Sequence, residues 1–157
     1  MNIKLISIGK TDDKSLDILI QTYTKRLKHY INFEFVIIPD IKNRKHLNFE
    51  QQKAQEGQLL LKNIQTSDFV VLLDENGKSF TSVEFSNYLS KKMLSGTKQL
   101  VFIIGGPYGF SEKVYQRANQ KISLSKMTFS HQMVRLFFVE QLYRAFTILK
   151  NEPYHHQ

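Results

Sequence analysis

The chain has 157 residues, the size of one domain, and we treat residues 1–157 as a single unit. It has no cysteine, which excludes disulfides, thiolate nucleophiles and cysteine-based zinc sites and fits a reducing cytoplasm. The 22 lysine and arginine residues outnumber the 14 aspartate and glutamate residues, and the net charge of +8 favours a polyanionic partner, RNA before an acidic membrane surface.

The first half of the chain alternates strand and helix patterns. Residues 3–8 and 33–38 are predicted strands, and helical spacing of apolar residues follows each of them, over 16–27 and 50–64. Residues 41–48 are predicted to form a polar, basic loop. Since Met1 leads straight into the first strand and no apolar run approaches roughly 18 residues, we expect neither a signal peptide nor a membrane span.

The second half continues this alternation. Residues 69–73 and 100–104 are apolar strands, and a loop at 74–77 ends the first of them. Thr81 and Glu84 have the spacing of a capping box and open a helix that ends near Gly96. The remaining elements are a short helix after Ser111, a short strand at 122–124 and a long helix over 131–150.

Apolar strands that alternate with helices predict an α/β fold with a mostly parallel sheet and flanking helices. In such sheets, ligands bind beyond the carboxyl ends of the strands. Three segments occupy such positions in the sequence, namely 74–77, 105–109 and 125–130. These segments are the candidate ligand site.

The last helix is apolar around almost its whole circumference, which is unusual for a helix that lies on a protein surface. Such a helix needs two apolar partners. One is the sheet, and the other is either further packing within the domain or a second subunit. In so short a chain the second subunit is favoured, and we expect a homodimer.

Two loops could bind a small ligand. Gly105, Gly106 and Gly109 permit close approach of the backbone to a ligand, although a plain tight turn would need the same residues. The segment 125–131 could bind an adenine edge through its main chain, or its Thr128 and Ser130 could simply cap a helix. Neither loop is decisive alone.

Charged side chains interrupt the last helix. Glu140 and Arg144 have the spacing of an i,i+4 ion pair, and Arg135 lies five residues before Glu140. Because buried charge is costly unless paired, at least one arginine is expected to meet an anion such as phosphate. The tail holds Tyr154, His155 and His156, and the histidines of the chain are too few to predict a metal site.

Taken together, these segments resemble the ribosomal large-subunit methyltransferase H family over essentially the full chain. The resemblance rests on Ile6-x-Ile8-Gly9-Lys10, Tyr23-x-Lys25-Arg26-Leu27-x-x-Tyr30, Leu73-Asp74-x-x-Gly77-Lys78, Ile103-x-Gly105-Gly106-Pro107-x-Gly109, Leu124-Ser125-x-x-Thr128-x-x-His131 with Arg135, Glu140-Gln141-x-Tyr143-Arg144-Ala145, and Pro153-Tyr154-His155. One position departs from the pattern, since many relatives have proline where Ser130 stands. Serine there either loosens the loop or caps the helix.

The resemblance implies a fold of the SPOUT class, with a deep trefoil knot near the C-terminus as an exception to the rule against knots. It implies an obligate homodimer and methylation of N3 of a pseudouridine in 23S rRNA of the assembled ribosome. It also implies that the knot loops hold S-adenosylmethionine. Its expected contacts are Leu73, Gly105, Leu124, Ser125, Lys126, Met127, Thr128 and Phe129.

For catalysis we expect His131 or His155 to assist removal of the N3 proton, and Tyr154 to stack on or orient the base. Arg135 and Arg144 are expected to hold RNA phosphate or the flipped nucleotide. The main alternative is a non-catalytic, ribosome-binding protein with a degenerate cofactor pocket. A Rossmann-type nucleotide enzyme is less favoured, because its glycine motif is missing after the first strand.

Overall fold

A computed structural model describes residues 1–156, in which strands and helices alternate as the sequence predicts. The elements are β1 (Asn2–Ile8), α1 (Lys14–Leu27), β2 (Asn32–Ile38), α2 (Phe49–Lys62), β3 (Phe69–Ser79), α3 (Ser82–Leu94), β4 (Gln99–Ile104), α4 (Glu112–Arg117), β5 (Gln120–Ser123) and α5 (Met133–Leu149). The predicted capping box of Thr81 and Glu84 is present at the start of α3. Over the described range, no helix is long and apolar enough to cross a bilayer.

The strands form one sheet in the order β2-β1-β4-β3-β5, and every neighbouring pair is parallel. Each strand connects to the next through a helix, as parallel neighbours require. The predicted α/β fold with a mostly parallel sheet is therefore confirmed. The deep trefoil knot stays a prediction from the resemblance.

Both faces of the sheet are buried, which explains why its strands are apolar at consecutive positions. In β4, Leu100 and Phe102 pack with α1, α3 and α5, whereas Val101 and Ile103 pack with α2 and α4. The pleat sends successive side chains to opposite faces, so each layer of helices meets every second residue. The domain has three layers, and the carboxyl ends of its strands share one edge.

Strand β3 differs from its prediction, because it continues beyond Leu73 to Ser79. Ile122 of β5 is paired with Leu73 before an irregularity and with Lys78 after it, so residues 74–77 form a bulge. Gly77 makes this possible: a Cβ atom there would lie 2.5 Å from the main-chain nitrogen of Ile122. Residues 74–77, which were predicted to end the strand, instead form a bulge, and pairing between β3 and β5 resumes at Lys78.

Much of the apolar surface of helix α5 that does not face the sheet packs against other helices of the same chain. Its buried residues include Phe138, Leu142 and Phe146, and the helix contacts both α1 and α3 as well as the sheet. Most of the apolar circumference is therefore explained by intrachain packing. Phe137 remains 38% exposed, and the homodimer stays a prediction.

Candidate functional site

A cavity of about 630 Å³ lies where β3, β4 and β5 reach their carboxyl ends. Its walls come from the bulge after Leu73, from the glycine loop at 104–110 and from the segment 123–131. This volume lies within the range of roughly 300–1,000 Å³ that small-molecule sites occupy. The three segments predicted to meet at this edge do so.

The glycine loop closes on itself as a tight turn. The amide of Gly109 donates to the carbonyl of Gly106 at 3.1 Å, and Gly109 has a φ of +80°, which favours glycine. Gly105 packs on the ring of Phe110, which would lie 3.2 Å from an added Cβ. The Gly109–Gly106 hydrogen bond and the Phe110 ring therefore hold the main chain of this turn in place without a ligand.

Glu56 of α2 lies directly behind this loop. Its carboxylate would stand only 2.3 Å from a Cβ at position 106, so any larger residue there would have to displace the Glu56 side chain. The side chain is buried; Gln52 donates to Oε1 at 2.8 Å, whereas Oε2 has no hydrogen-bond partner within residues 1–156. Burial raises the pKa of Glu56, which favours the protonated carboxyl. No sequence pattern singled out this residue.

The bulge of β3 is tied to α4. The hydroxyl of Tyr115 donates to Asp74 Oδ2 at 2.6 Å, and the amide of Asn76 donates to Asp74 Oδ1 at 2.8 Å. Burial first, and then this hydrogen bond to Asp74, raise the pKa of Tyr115 to about 12. Tyr115 therefore stays protonated at neutral pH and holds the bulge as part of the cavity wall.

The segment after β5 is ordered by its own serines. The amide of Met127 donates to Ser125 Oγ at 2.9 Å, and the amide of Met133 donates to Ser130 Oγ at 3.1 Å. Ser130 thus accepts from the first amide of α5, although the residue at the N-cap position itself is Gln132. Ser130 satisfies an otherwise free donor in the first turn of α5.

Arg135 is buried at 1% exposure and fastens α5 to the end of β1. Its guanidinium donates to the carbonyls of Ile8 (2.8 Å), Gly9 (2.9 Å) and His131 (3.0 Å) and to the hydroxyl of Thr11 (3.0 Å). Burial lowers its pKa. This geometry differs from the predicted contact with phosphate, because neutral main-chain oxygens already satisfy the guanidinium.

A second cluster, the tail cluster, lies at the other end of α5 and consists of Tyr23, Glu140, Arg144, Tyr154 and His155. Arg144 donates to Glu140 Oε1 from Nη2 at 2.6 Å and from Nε at 3.1 Å, so the predicted ion pair is present. Tyr154 donates to the same oxygen at 3.0 Å, and its hydroxyl lies 3.1 Å from that of Tyr23. Arg144 stacks over the Tyr154 ring at 4.8 Å and lies 3.4 Å from His155 Nδ1.

Comparison with known proteins identifies the family. A family model described as predicted SPOUT methyltransferase matches residues 1–155. Proteins named ribosomal RNA large subunit methyltransferase H are 69% identical in Christiangramia forsetii, 68% in Flavobacterium johnsoniae and 62% in Parabacteroides distasonis, each over 157 residues and the whole of both chains. This chain belongs to the SPOUT methyltransferase family. The resemblance to the methyltransferase H proteins is therefore confirmed.

In this SPOUT methyltransferase the predicted cofactor residues gather at the cavity. The wall includes Leu73, Gly105, Leu124, Ser125, Met127, Thr128 and Phe129, whereas Lys126 is exposed and lies outside it. His131 also borders the cavity. Their role as cofactor contacts stays a prediction.

The predicted catalytic residues do not gather at one place in a single chain. His131 borders the cavity, Arg135 is buried behind it, and Arg144, Tyr154 and His155 lie in the tail cluster. At 1.5 Å per residue, α5 separates Met133 from Arg144 by about 16 Å. The predicted catalytic residues of one subunit therefore lie in two separate regions. Within residues 1–156, His131 and His155 do not contact each other.

Proposed function

We propose that this chain transfers a methyl group from S-adenosylmethionine to N3 of a pseudouridine in 23S rRNA of the assembled ribosome. The observation that carries the proposal is the cavity of about 630 Å³, which three loops enclose at the carboxyl edge of the sheet of a SPOUT methyltransferase. The names of the most similar relatives supply the substrate class. A degenerate pocket, as in the non-catalytic alternative, would not be expected to keep these loops fastened.

The cavity fits the cofactor in size and chemistry. Leu73, Leu124 and Phe129 offer apolar walls for the adenine. Main-chain groups of 124–129 and of the glycine loop that are not already paired within these segments would hydrogen-bond its edges. When bound, S-adenosylmethionine supplies an electrophilic methyl group. The residues of the chain must then align the acceptor nitrogen and remove its proton.

His131 and His155 remain the two candidate bases. His131 borders the cavity itself, whereas His155 lies beside Arg144 in the tail cluster. Tyr154 is not a candidate base, because burial and its hydrogen bonds raise its pKa and keep the phenol protonated. Its ring is available to orient the target base, with Arg144 beside it.

A homodimer would unite the two regions that one chain keeps apart. In a two-fold dimer with antiparallel α5 helices, the tail cluster of one subunit faces the cavity of its partner, and both sites form at once. Exposed apolar side chains near the cavity support such contact, since Met127 is 76% and Phe137 38% exposed. Arg135 then acts as a positioning residue that holds the cavity loops rather than as an RNA contact.

The test is transfer of labelled methyl from S-adenosylmethionine to intact ribosomes from a strain that lacks this gene, with isolated subunits and free rRNA in parallel. We expect label in 23S rRNA of intact ribosomes, and mass spectrometry of the nucleosides should place it on N3 of a pseudouridine. Failure of a folded dimer to label any of these substrates would favour the non-catalytic alternative.

The two histidines can be separated by single-turnover rates of His131→Ala and His155→Ala. We expect one variant to lose about 10²–10⁴-fold, the usual worth of a general base. If both variants kept near-normal rates, proton removal by histidine would be excluded and alignment alone would carry the reaction.

A further inference from the structure

A second groove, of about 580 Å³, opens between α3 and the edge strand β5. Its lining residues include Lys78, Phe80, Tyr88, Lys91, Gln120 and Ile122. It adjoins the cofactor cavity, because Ile122 borders the groove and the next residue, Ser123, borders the cavity. Nothing in the proposed reaction uses this groove.

The groove carries an excess of positive charge. Its lining includes Lys78, Lys91 and Lys121, against the single carboxylate of Glu84. That carboxylate is engaged in the capping box, where it accepts from the amide of Thr81 at 2.7 Å. Lys121 Nζ lies 5.5 Å from the centroid of the Tyr115 ring, on the α4 side of β5. The ammonium groups of Lys78 and Lys91 are therefore the ones available to an anionic ligand, and phosphate is an anion that lysine binds as a point charge.

An aromatic wall completes the groove. The rings of Phe80 and Tyr88 lie 5.5 Å apart, and the hydroxyl of Tyr88 donates to Gln120 of β5 at 2.8 Å. Lys78 Nζ stands 5.0 Å from the centroid of the Phe80 ring. Aromatic rings that stack on bases, interleaved with lysines that follow the backbone, are the typical surface for single-stranded nucleic acid.

Lysine on an edge strand has a simpler use, since it discourages pairing with other chains. That use accounts for Lys121 on β5. It does not account for Lys91, which α3 presents to the same groove, or for the aromatic wall. The combination therefore points to a ligand rather than to edge protection alone.

We propose that this groove binds a single-stranded segment of the substrate RNA beside the target nucleotide. Lys78 and Lys91 contact its phosphates, and Phe80 or Tyr88 stacks on one of its bases. The inference rests on the proposed function for the identity of the RNA. An acidic ribosomal protein would match the lysines but would not use the partly exposed faces of Phe80 and Tyr88, whose other sides pack against the core.

The test compares Lys78→Ala/Lys91→Ala with the matched variant Lys62→Ala/Lys98→Ala. The second pair removes the same charge from exposed positions that flank the amino ends of β3 and β4, away from the site. We measure binding of a labelled oligouridine by fluorescence anisotropy over a range of salt concentrations, and methylation kinetics on ribosomes. Calorimetry gives the affinity for S-adenosylmethionine, and circular dichroism confirms folding.

For the groove variant we expect about tenfold weaker oligouridine binding and a similar rise in KM for ribosomes. The slope of log affinity against log salt should fall by about 1.4 for two lost phosphate contacts. Affinity for S-adenosylmethionine should not change, and the matched variant should stay within about twofold of wild type in every measurement.

Equal oligouridine affinity and equal salt slope in the two double variants would overturn the proposal. Weaker ribosome binding with unchanged oligouridine binding would also overturn it, in favour of an acidic protein partner. Wild-type protein that binds oligouridine through the groove yet methylates no ribosomal RNA would instead count against the proposed function, because the binding assay needs no turnover.

Discussion

The regions at the two ends of α5 differ in which parts of the chain form them. The cavity end consists mainly of main chain and glycine, fastened by buried groups such as Glu56 and Arg135. The tail end consists of packed side chains, in which Arg144 and Tyr154 share Glu140 as their acceptor. On the proposed function, the first end binds a small ligand, whereas the second offers charged and aromatic side chains to another molecule. The comparison predicts that variants at the two ends fail in different ways.

Gly77→Ala, at the cavity end, should lower the free energy of unfolding more than any other proposed variant. The added Cβ would lie 2.5 Å from the nitrogen of Ile122, and a backbone cannot yield as a flexible side chain can. We expect a loss of about 3 kcal/mol in the free energy of unfolding, measured by urea denaturation. Ser79→Ala, at an exposed position on the same strand, is the control and should change it by less than about 0.5 kcal/mol. Equal stability of the two variants would show that the bulge is loosely held.

Arg135→Met should cost about 2 kcal/mol, because the carbonyls of Ile8 and Gly9 lose buried donors. Affinity for S-adenosylmethionine, measured by calorimetry, should fall as well, since the loop before α5 loses its anchor at His131. Arg135→Lys keeps one donor and should recover part of the affinity. If Arg135→Met bound the cofactor normally but no longer bound ribosomes, the result would instead support the prediction that Arg135 contacts RNA.

Tyr154→Phe tests the tail end. It removes the hydrogen bonds to Tyr23 and Glu140 and should lower stability by about 1 kcal/mol. Methylation of ribosomes should fall, while calorimetry should give an unchanged affinity for S-adenosylmethionine. A matched loss of cofactor affinity would contradict the separation of the two regions.

Glu56→Gln should have the smallest effect on the free energy of unfolding, and it should raise that free energy rather than lower it. Because burial raises the pKa of Glu56, the native state holds its proton more tightly than the unfolded chain does. Wild-type stability therefore falls as pH rises from the ordinary carboxyl range through the raised pKa. The variant does not titrate, so we expect it to gain about 0.5 kcal/mol over wild type near pH 8 and nothing near pH 4. A gain that does not depend on pH would assign the effect to packing.

The sequence predicted the elements and the edge of the sheet at which the loops meet, because apolar patterning and caps are local signals. It missed the continuation of β3 beyond Gly77, since a bulge depends on how closely another strand approaches. It also missed Glu56, which becomes notable only when α2 packs behind Gly106. Arg135 was recognised as an unusual charge, but the neutral oxygens that satisfy it come from residues far away in the chain. Contacts distant in sequence leave no local pattern.

The most direct test of a site shared between subunits mixes two inactive variants. Thr128→Trp would fill the cavity mouth, and Tyr154→Ala/His155→Ala would remove the tail groups. Refolded together in equal amounts, half of the dimers should be mixed, and each mixed dimer should hold one intact cavity facing one intact tail. We predict about a quarter of the wild-type methylation of ribosomes from the mixture and almost none from either variant alone. No recovery in a mixture that demonstrably forms mixed dimers would contradict the shared site.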